Sequence, residues 1–321
     1  MSVRVLSSLE AVILLVLLCP ALAPGQAASE VRVTVQLDKL GWYYDTGDPS
    51  AYATVTQSQA PLPTGTLKPM MRNVIIADVV SINARPARGT HVSHGLSIRT
   101  TNSDFPRNNL HYFVLDIQTP EGGQIGSLFG TLLGSGGAAP GAPPGAGLWA
   151  VHGGSGAYIG IRGQGSNVGG SNFHQTTMKE DTAARRTNSS GQIKLDFCLS
   201  GVNVSEIQAA YHLADGTPVT SSNPARAGEV LILQVKAGWP VSPPLEPGQT
   251  FAKDPLQIIA CPVEATVNDL PAEVFNAIGW PGTRDRYRVD VRLPATGTAE
   301  ATLNLLAGYI LASAPYKVPV R

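Results

Sequence analysis

Residues 148–165, LWAVHGGSGAYIGIRGQG, form the glycine-rich segment with the strongest resemblance to a ligand-binding loop. Glycines that precede a helix can hold a phosphate group with backbone N–H groups. A phosphate loop needs Gly-Lys-Ser/Thr at the start of that helix, whereas Gly156 is followed by the apolar pair Ala157-Tyr158. The glycines also miss the dinucleotide-binding spacing by one residue. The segment therefore predicts a corner between two strands, which glycine turns without a Cβ clash.

Asp78 is the carboxylate best placed for chemistry, because it lies on an otherwise aliphatic strand, RNVIIADVVSIN at 72–83. Inside a barrel, such a carboxyl group could act as a general acid or base, or orient a ligand. A solvated strand end and an internal ion pair are the structural alternatives. Arg162, just after the glycine corner, is a candidate partner for this carboxylate or a purely structural residue.

Tyr112 and Asp116 share one face of the predicted strand at 110–119 and are further candidate ligand-binding residues. His91 and His94 are expected in a loop, where their spacing does not bring two imidazoles together and no third ligand is evident. Ser155 lacks the Gly-x-Ser-x-Gly context of a hydrolase nucleophile. The sequence therefore predicts no catalytic residue, no metal site and no cofactor.

Charge and composition restrict the class of partner. Lys+Arg and Asp+Glu number 23 each in 321 residues, so no basic surface argues for nucleic acid or for an anionic membrane. Charged residues make up 14% of the chain, while Gly and Pro number 34 and 25. Few charges with many turn-forming residues favour a β-rich exported protein.

Residues 1–28 are predicted to be a secretory signal. Arg4 supplies the positive charge, and the apolar run at 11–18 is too short to span a bilayer. Cys19 follows Leu18 rather than the small residue expected before a lipid-modified cysteine. The sequence thus predicts a secreted or cell-envelope protein, soluble outside the cytoplasm.

Alternating apolar residues predict an all-β chain in two domains. The first, at 29–200, contains strands at 30–37, 72–83, 94–101, 110–119, 126–134 and 192–199, with 135–147 as a long hairpin loop. A connector follows at 201–223, whose residues 203–214 are the only stretch of helical character. The second domain, at 224–321, has about seven short strands, including a hairpin about Asn268-Asp269. Cys198 and Cys261 fall in different domains, and the spacing leaves their pairing open.

Residues 224–321 resemble the immunoglobulin-like C-terminal module of IPT/TIG type that recurs on exported acidobacterial proteins. The resemblance lies in ARAGEV (225–230), PGQTF (247–251), PVEATVN (262–268), PAEV (271–274), GWPG (279–282) and YRVDVRLP (287–294). It implies an immunoglobulin-like β-sandwich that faces the surface or envelope and has no assigned catalysis.

Residues 72–199 resemble the dirigent and allene oxide cyclase-like β-barrel family. VIIAD at 74–78, the strand at 126–134, VHGGSGAY at 151–158 and GIRG at 160–163 carry the resemblance. Ser155 and Tyr158 stand where the family has Thr and Phe. The resemblance implies an eight-stranded barrel, often trimeric, with a cavity for an apolar small molecule.

These observations predict a secreted, non-catalytic binding or envelope structural protein with an extracellular partner. The alternative is a barrel that binds a small apolar or phenolic molecule and steers its cyclisation or coupling, with Asp78 and Arg162 in the site. Fold alone does not decide between them. Self-association through the barrel is compatible with both.

Overall fold

The computed structural model describes residues 30–45, 70–98, 107–136, 147–168, 173–201, 205–246, 248–295 and 298–321. The predicted signal at 1–28 and Cys19 lie outside the described residues. The described part is nearly all β, with one short helix. It forms a barrel followed by two further sheets.

The described residues of the N-terminal unit form ten strands: β1 (Val31–Tyr44), β2 (Met70–Ile82), β3 (Arg85–Pro86), β4 (Arg88–Ile98), β5 (Arg107–Gln118), β6 (Gln124–Gly136), β7 (Gly147–Gly156), β8 (Arg162–Val168), β9 (His174–Thr177) and β10 (Ile193–Ser200). Eight of them pair antiparallel in the order β1-β2-β4-β5-β6-β7-β8-β10, and β10 pairs back to β1. The predicted eight-stranded barrel is therefore confirmed. Strands β3 and β9 pair with β2 and β1, and the helix α1 (Arg185–Asn188) lies between β9 and β10.

Alternation along the strands decides which side chains fill the barrel. Ile75, Ala77 and Val79 of β2 are buried inside it, as are Phe113, Leu115 and Ile117 of β5. The intervening residues face outwards. Strands β6 and β7 pair directly, so the segment 135–147 does connect two neighbouring strands, as predicted.

The glycine corner is confined to fewer residues than expected. Gly153 and Gly154 continue β7, and the turn itself spans 157–160. Gly156 precedes that turn and Gly160 is its last residue, with φ of 60° and 85°, a conformation that L side chains rarely adopt. Tyr158, predicted in the second strand, lies in the turn and is fully buried.

In the part of the C-terminal unit that the structure describes there are eleven strands: β11 (Glu206–His212), β12 (Val230–Lys236), β13 (Val241–Ser242), β14 (Ile258–Ile259), β15 (Val263–Val267), β16 (Leu270–Ala272), β17 (Val274–Gly279), β18 (Arg286–Arg292), β19 (Glu300–Ala307), β20 (Leu311–Ala312) and β21 (Tyr316–Pro319). One sheet has the order β11-β12-β18-β17-β14-β13, and the other joins β16, β15, β19 and β20, with β21 also paired to β19. Leu233, Val289 and Leu303 are among its fully buried residues.

Two local predictions in this unit have opposite outcomes. The hairpin about Asn268-Asp269 is confirmed, with both residues at positive φ between β15 and β16. The helical expectation for residues 203–214 is wrong, because β11 pairs with β12 as a strand of the six-stranded sheet. A bulge between Ile207 and Ala209 places Ile207 and Ala210 on the buried side. That spacing of three imitates a helical period.

Among the described residues, side-chain hydrogen bonds at three places join the barrel to the C-terminal unit. The hydroxyl of Tyr158 donates to the carbonyl oxygen of Gly308 at 2.9 Å. The amide of Asn83 donates to the carbonyl oxygen of Tyr309 at 3.1 Å. Nε of Arg85 donates to both carboxylate oxygens of Glu264, at 2.8 and 2.9 Å. The glycine corner and the hairpin that follows β2 thus form the barrel's side of this contact.

Candidate binding site

Asp78 lies on the outer face of β2, because its neighbours Ala77 and Val79 take the inward positions. Its carboxylate accepts hydrogen bonds from the guanidinium groups of Arg185 and Arg186, the latter at 3.0 Å from Nε. The Arg185 side chain is only 4% exposed. Asp78 therefore ties the helix α1 to the barrel wall, and its partners are these arginines rather than Arg162.

The other predicted site residues also face outwards. Asp116 accepts hydrogen bonds from Gln118 at 2.9 Å and from Gln124 at 2.5 Å. Tyr112 is largely exposed, and Arg162 is exposed at the start of β8. The four predicted residues are spread over β2, β5 and β8 and do not share one cavity. Asp78 and Asp116 occupy the same row of the sheet, two strands apart.

A groove of about 820 Å³ runs along the outside of the barrel over β6, β7, β8, β10 and β1. The pairing register of these five strands places two rows of outward-pointing side chains along the groove. The rows are Leu133-Leu148-Ser166-Asp196-Thr34 and Thr131-Ala150-Gln164-Cys198-Arg32. The groove is therefore apolar at β6 and β7, uncharged and polar at β8, and charged at β10 and β1, where Lys194 joins the lining.

The groove passes over a strand whose inward positions are glycines. A Cβ atom on Gly165 would collide with the ring of Phe197 and with the backbone of Asp196, and one on Gly163 would meet the backbone of Cys198. The absence of these Cβ atoms lets β8 lie close against the side chains of the barrel interior. Gln164 and Ser166 then form the floor of the groove.

The charged end of the groove is internally ordered. Asp196 accepts a hydrogen bond from the hydroxyl of Thr34 at 2.9 Å and lies 3.6 Å from Nζ of Lys194. The thiol of Cys198 donates to Glu30 at 3.2 Å, and this hydrogen bond raises the pKa of the thiol. Cys198 and Cys261 are both unbridged.

The barrel interior contains a polar layer that the sequence analysis missed. His91 and Ser93 of β4 and His111 of β5 are buried there, and Ser93 Oγ lies 3.2 Å from Nδ1 of His111. Neither ring nitrogen of His91, nor Nε2 of His111, has a hydrogen-bond partner within the described residues. The expectation that His91 and His94 lie in a loop is wrong, since both belong to β4.

Aromatic rings surround the buried imidazole of His91. The ring centroid of Trp149 lies 5.4 Å away, and that of Phe113 lies 6.5 Å away. Trp149 in turn contacts Phe113 and Phe197 at 4.8 and 6.1 Å. Side chains therefore occupy the barrel interior at this level.

This environment keeps both buried histidines neutral. Burial, with a smaller contribution from the charge of His111, lowers the pKa of His91 to about 3. Burial and then the charge of His94 lower the pKa of His111 to about 4. A signal for the layer exists in the sequence: His91 and Ser93 alternate with Val92, the reverse of the pattern expected for a half-buried strand.

Comparison of the chain with models of known protein families, with curated proteins and with solved structures gave no match. Within the described ranges, no three His, Cys, Asp or Glu side chains are grouped so that they could hold a metal ion. Among those same residues, no helix is both long and apolar enough to cross a membrane.

Proposed function

We propose that the protein is a non-catalytic binding protein that holds an amphipathic ligand, or an amphipathic segment of an extracellular partner, in the outer groove of its barrel. The observation that carries this proposal is the groove itself, whose volume of about 820 Å³ falls within the range of ligand sites. Its lining changes from Leu133 and Leu148 at one end to Arg32 and Lys194 at the other. An occupant with an apolar and a polar end fits that gradient.

The contacts of the two candidate carboxylates favour binding over catalysis. Asp78 is committed to Arg185 and Arg186, and Asp116 to a set of amide and hydroxyl donors. An internal cavity lined by Asp78 would have favoured the alternative function, which is to steer the cyclisation or coupling of a small apolar or phenolic molecule. Asp78 is outside, and aromatic rings fill the interior around Trp149.

We further propose that the protein acts in the extracytoplasmic space or the cell envelope, that the barrel is dirigent-like, and that the C-terminal unit is an immunoglobulin-like sandwich that presents the barrel. The basic-then-apolar pattern of residues 1–28 supports export. Two antiparallel sheets of short strands support the sandwich.

Native mass spectrometry of the purified protein tests the binding function. Ser166→Trp would place an indole across the groove floor, and Gln208→Trp makes the same kind of change on the exposed side of β11. We expect a retained non-covalent species on the wild type and on Gln208→Trp, and its loss from Ser166→Trp. A wild type without any retained species, or equal retention by Ser166→Trp, contradicts the proposal.

A further inference from the structure

The outer surface of β4 to β7 carries large apolar side chains that the described residues leave exposed. Their exposed fractions lie between 37% and 65% for Val92, Leu110, Tyr112, Val114, Phe129, Leu133 and Leu148. We call these seven residues, with the outward His94, Leu96, Thr131, Ala150 and His152 between them, the apolar face. Scattered exposed apolar residues are ordinary, whereas a contiguous set indicates an interaction surface.

Register shows that the apolar face is contiguous. Eleven of its side chains form three rows: Val92-Val114-Phe129, then His94-Tyr112-Thr131-Ala150, then Leu96-Leu110-Leu133-Leu148. The twelfth, His152, lies at a register shift of β7, with its Nε2 3.1 Å from Oγ1 of Thr131. None of these residues is Asp, Glu, Lys or Arg. A polar row, Thr90-Asp116-Ser127-Ser155, borders the apolar face on one side. An uncharged apolar centre beside a polar rim is the anatomy of a protein interface.

Gly153 of β7 leaves room for the ring of Phe129 on this surface. A Cβ atom on Gly153 would lie 2.7 Å from Cζ of Phe129, so the ring covers the position that a side chain would occupy. The ring therefore lies over the β7 backbone. Aromatic residues that cover area with few rotatable bonds are typical interface anchors.

The size of the apolar face fits a partner protein. Seven large apolar side chains, each 37% to 65% exposed on four neighbouring strands, form a contiguous patch of the kind that marks interfaces, of which a standard one takes roughly 800 Å² from each partner. A two-fold interface places the same patch against itself, so like charges must be absent from its centre. The apolar face meets that condition, whereas an anionic membrane would need basic residues that it lacks.

We propose that the apolar face is the contact surface between two copies of this chain, packed face to face through β4 to β7. Leu133, Leu148, Thr131 and Ala150 belong both to the apolar face and to the groove lining. The second copy would therefore cover the apolar end of the groove. The dimer requires no groove ligand, and a ligand bound at that end would lie against both copies.

Sedimentation equilibrium of the purified protein, expressed from the complete chain, tests the proposal. We expect a dimer for the wild type. Tyr112→Lys places a charge in the middle row and is expected to raise the dissociation constant by about 30-fold or more, the effect of losing one hot spot. Ile258→Lys, a matched change at a 60% exposed position of β14, should leave the dimer intact.

Val114→Thr is the second variant, for use if Tyr112→Lys folds poorly. Threonine keeps the shape of the valine side chain and is favourable in a strand. This variant should weaken the dimer in the same direction by a smaller factor, with an unchanged circular dichroism spectrum. A wild type that stays monomeric at tens of micromolar overturns the proposal. Sedimentation of that monomer with phosphatidylcholine vesicles would indicate that the apolar face contacts a membrane instead. A dimer that neither substitution weakens also overturns the proposal.

Discussion

The hydroxyl of Tyr158 donates a 2.9 Å hydrogen bond to the carbonyl oxygen of Gly308, at a position with no solvent exposure. The bond crosses from the glycine corner of the barrel to the C-terminal unit. Burial, followed by the nearby Cys261 and Tyr309, raises the pKa of Tyr158 far above its ordinary value. The phenol therefore remains a donor over the whole accessible pH range.

Tyr158→Phe should lower the free energy of unfolding by about 1–3 kcal/mol, because the Gly308 carbonyl loses its partner where water cannot replace it. Urea unfolding followed by circular dichroism measures the change. Tyr211→Phe, which removes a longer hydrogen bond of 3.3 Å to Gln234 at a partly exposed position, is the control and should stay within about 0.5 kcal/mol of the wild type. Equal stability of the two variants would show that the buried bond contributes nothing.

Arg85 and Glu264 join the same two units but should contribute much less. Their side chains are 39% and 41% exposed, so solvent screens the attraction. A double-mutant cycle with Arg85→Ala and Glu264→Ala should give a coupling energy below about 1 kcal/mol, and less in high salt. A coupling above about 2 kcal/mol that salt does not reduce would contradict this expectation.

Asp78→Ala should destabilise the barrel by roughly 2–4 kcal/mol, because Arg185 would be left buried without its carboxylate partner. Replacing both residues, with Asp78→Ala and Arg185→Met, should recover part of the loss, since no unpaired buried charge remains. Thermal unfolding measures both changes. Native mass spectrometry should find any groove-bound species still present on the single variant, and its disappearance from a folded Asp78→Ala protein would return Asp78 to the binding site.

The buried histidines predict loss of stability in mild acid. Their folded-state pKa values, about 3 for His91 and about 4 for His111, lie below the ordinary value of 6.5. The unfolded chain therefore binds more protons below pH 6.5. Their stabilisation is complete above pH 6.5 and falls with pH by up to about 1.4 kcal/mol per pH unit and histidine.

The measurement is the free energy of unfolding from urea titrations between pH 4.5 and 8. His91→Phe should flatten the decline below pH 6.5 and cost little stability, because a ring without a charge suits the aromatic layer. The exposed His152→Phe should leave the slope unchanged. An identical slope in His91→Phe would show that His91 is accessible to protons in the folded state.

His212 of the C-terminal unit does not mask this effect. Burial lowers its pKa, but hydrogen bonds to Glu229 and to the carbonyl oxygen of Asn223 outweigh burial and raise it overall. A raised folded-state pKa gives stability that is fully present below pH 6.5 and is lost as the pH rises through the folded-state value. Its contribution is therefore constant where the histidines of the barrel titrate.

The strands of the barrel were predictable from their apolar residues, whereas its closure from eight strands was expected from the family resemblance. Phe113, Leu115 and Ile117 of β5 are all inward, as the pattern indicates. The sequence-based predictions fail where a strand departs from the usual alternation of inward apolar and outward polar residues. The bulge at Ile207–Ala209 gives β11 a spacing of three, and β4 reverses the usual pattern by turning His91 inwards and Val92 outwards.

The candidate site was less predictable than the fold. The face of a strand that points inwards depends on barrel closure, so alternation alone did not show that Asp78 lies outside. Its partners Arg185 and Arg186 are more than a hundred residues away in the chain. The groove combines the consecutive strands β6, β7 and β8 with β10 and with β1 from the start of the described chain, and local patterns carry no information on such a combination.

Alternate residues of strand β8 have different roles: one set is needed for packing inside the barrel, and the other set forms the groove surface. Gly163 and Gly165 tolerate no side chain, since each would collide with β10. Gln164 and Ser166 alternate with these glycines, point outwards and are exposed. Sequence drift along β8 can therefore alter the chemistry of the groove floor one residue at a time while the architecture is inherited unchanged.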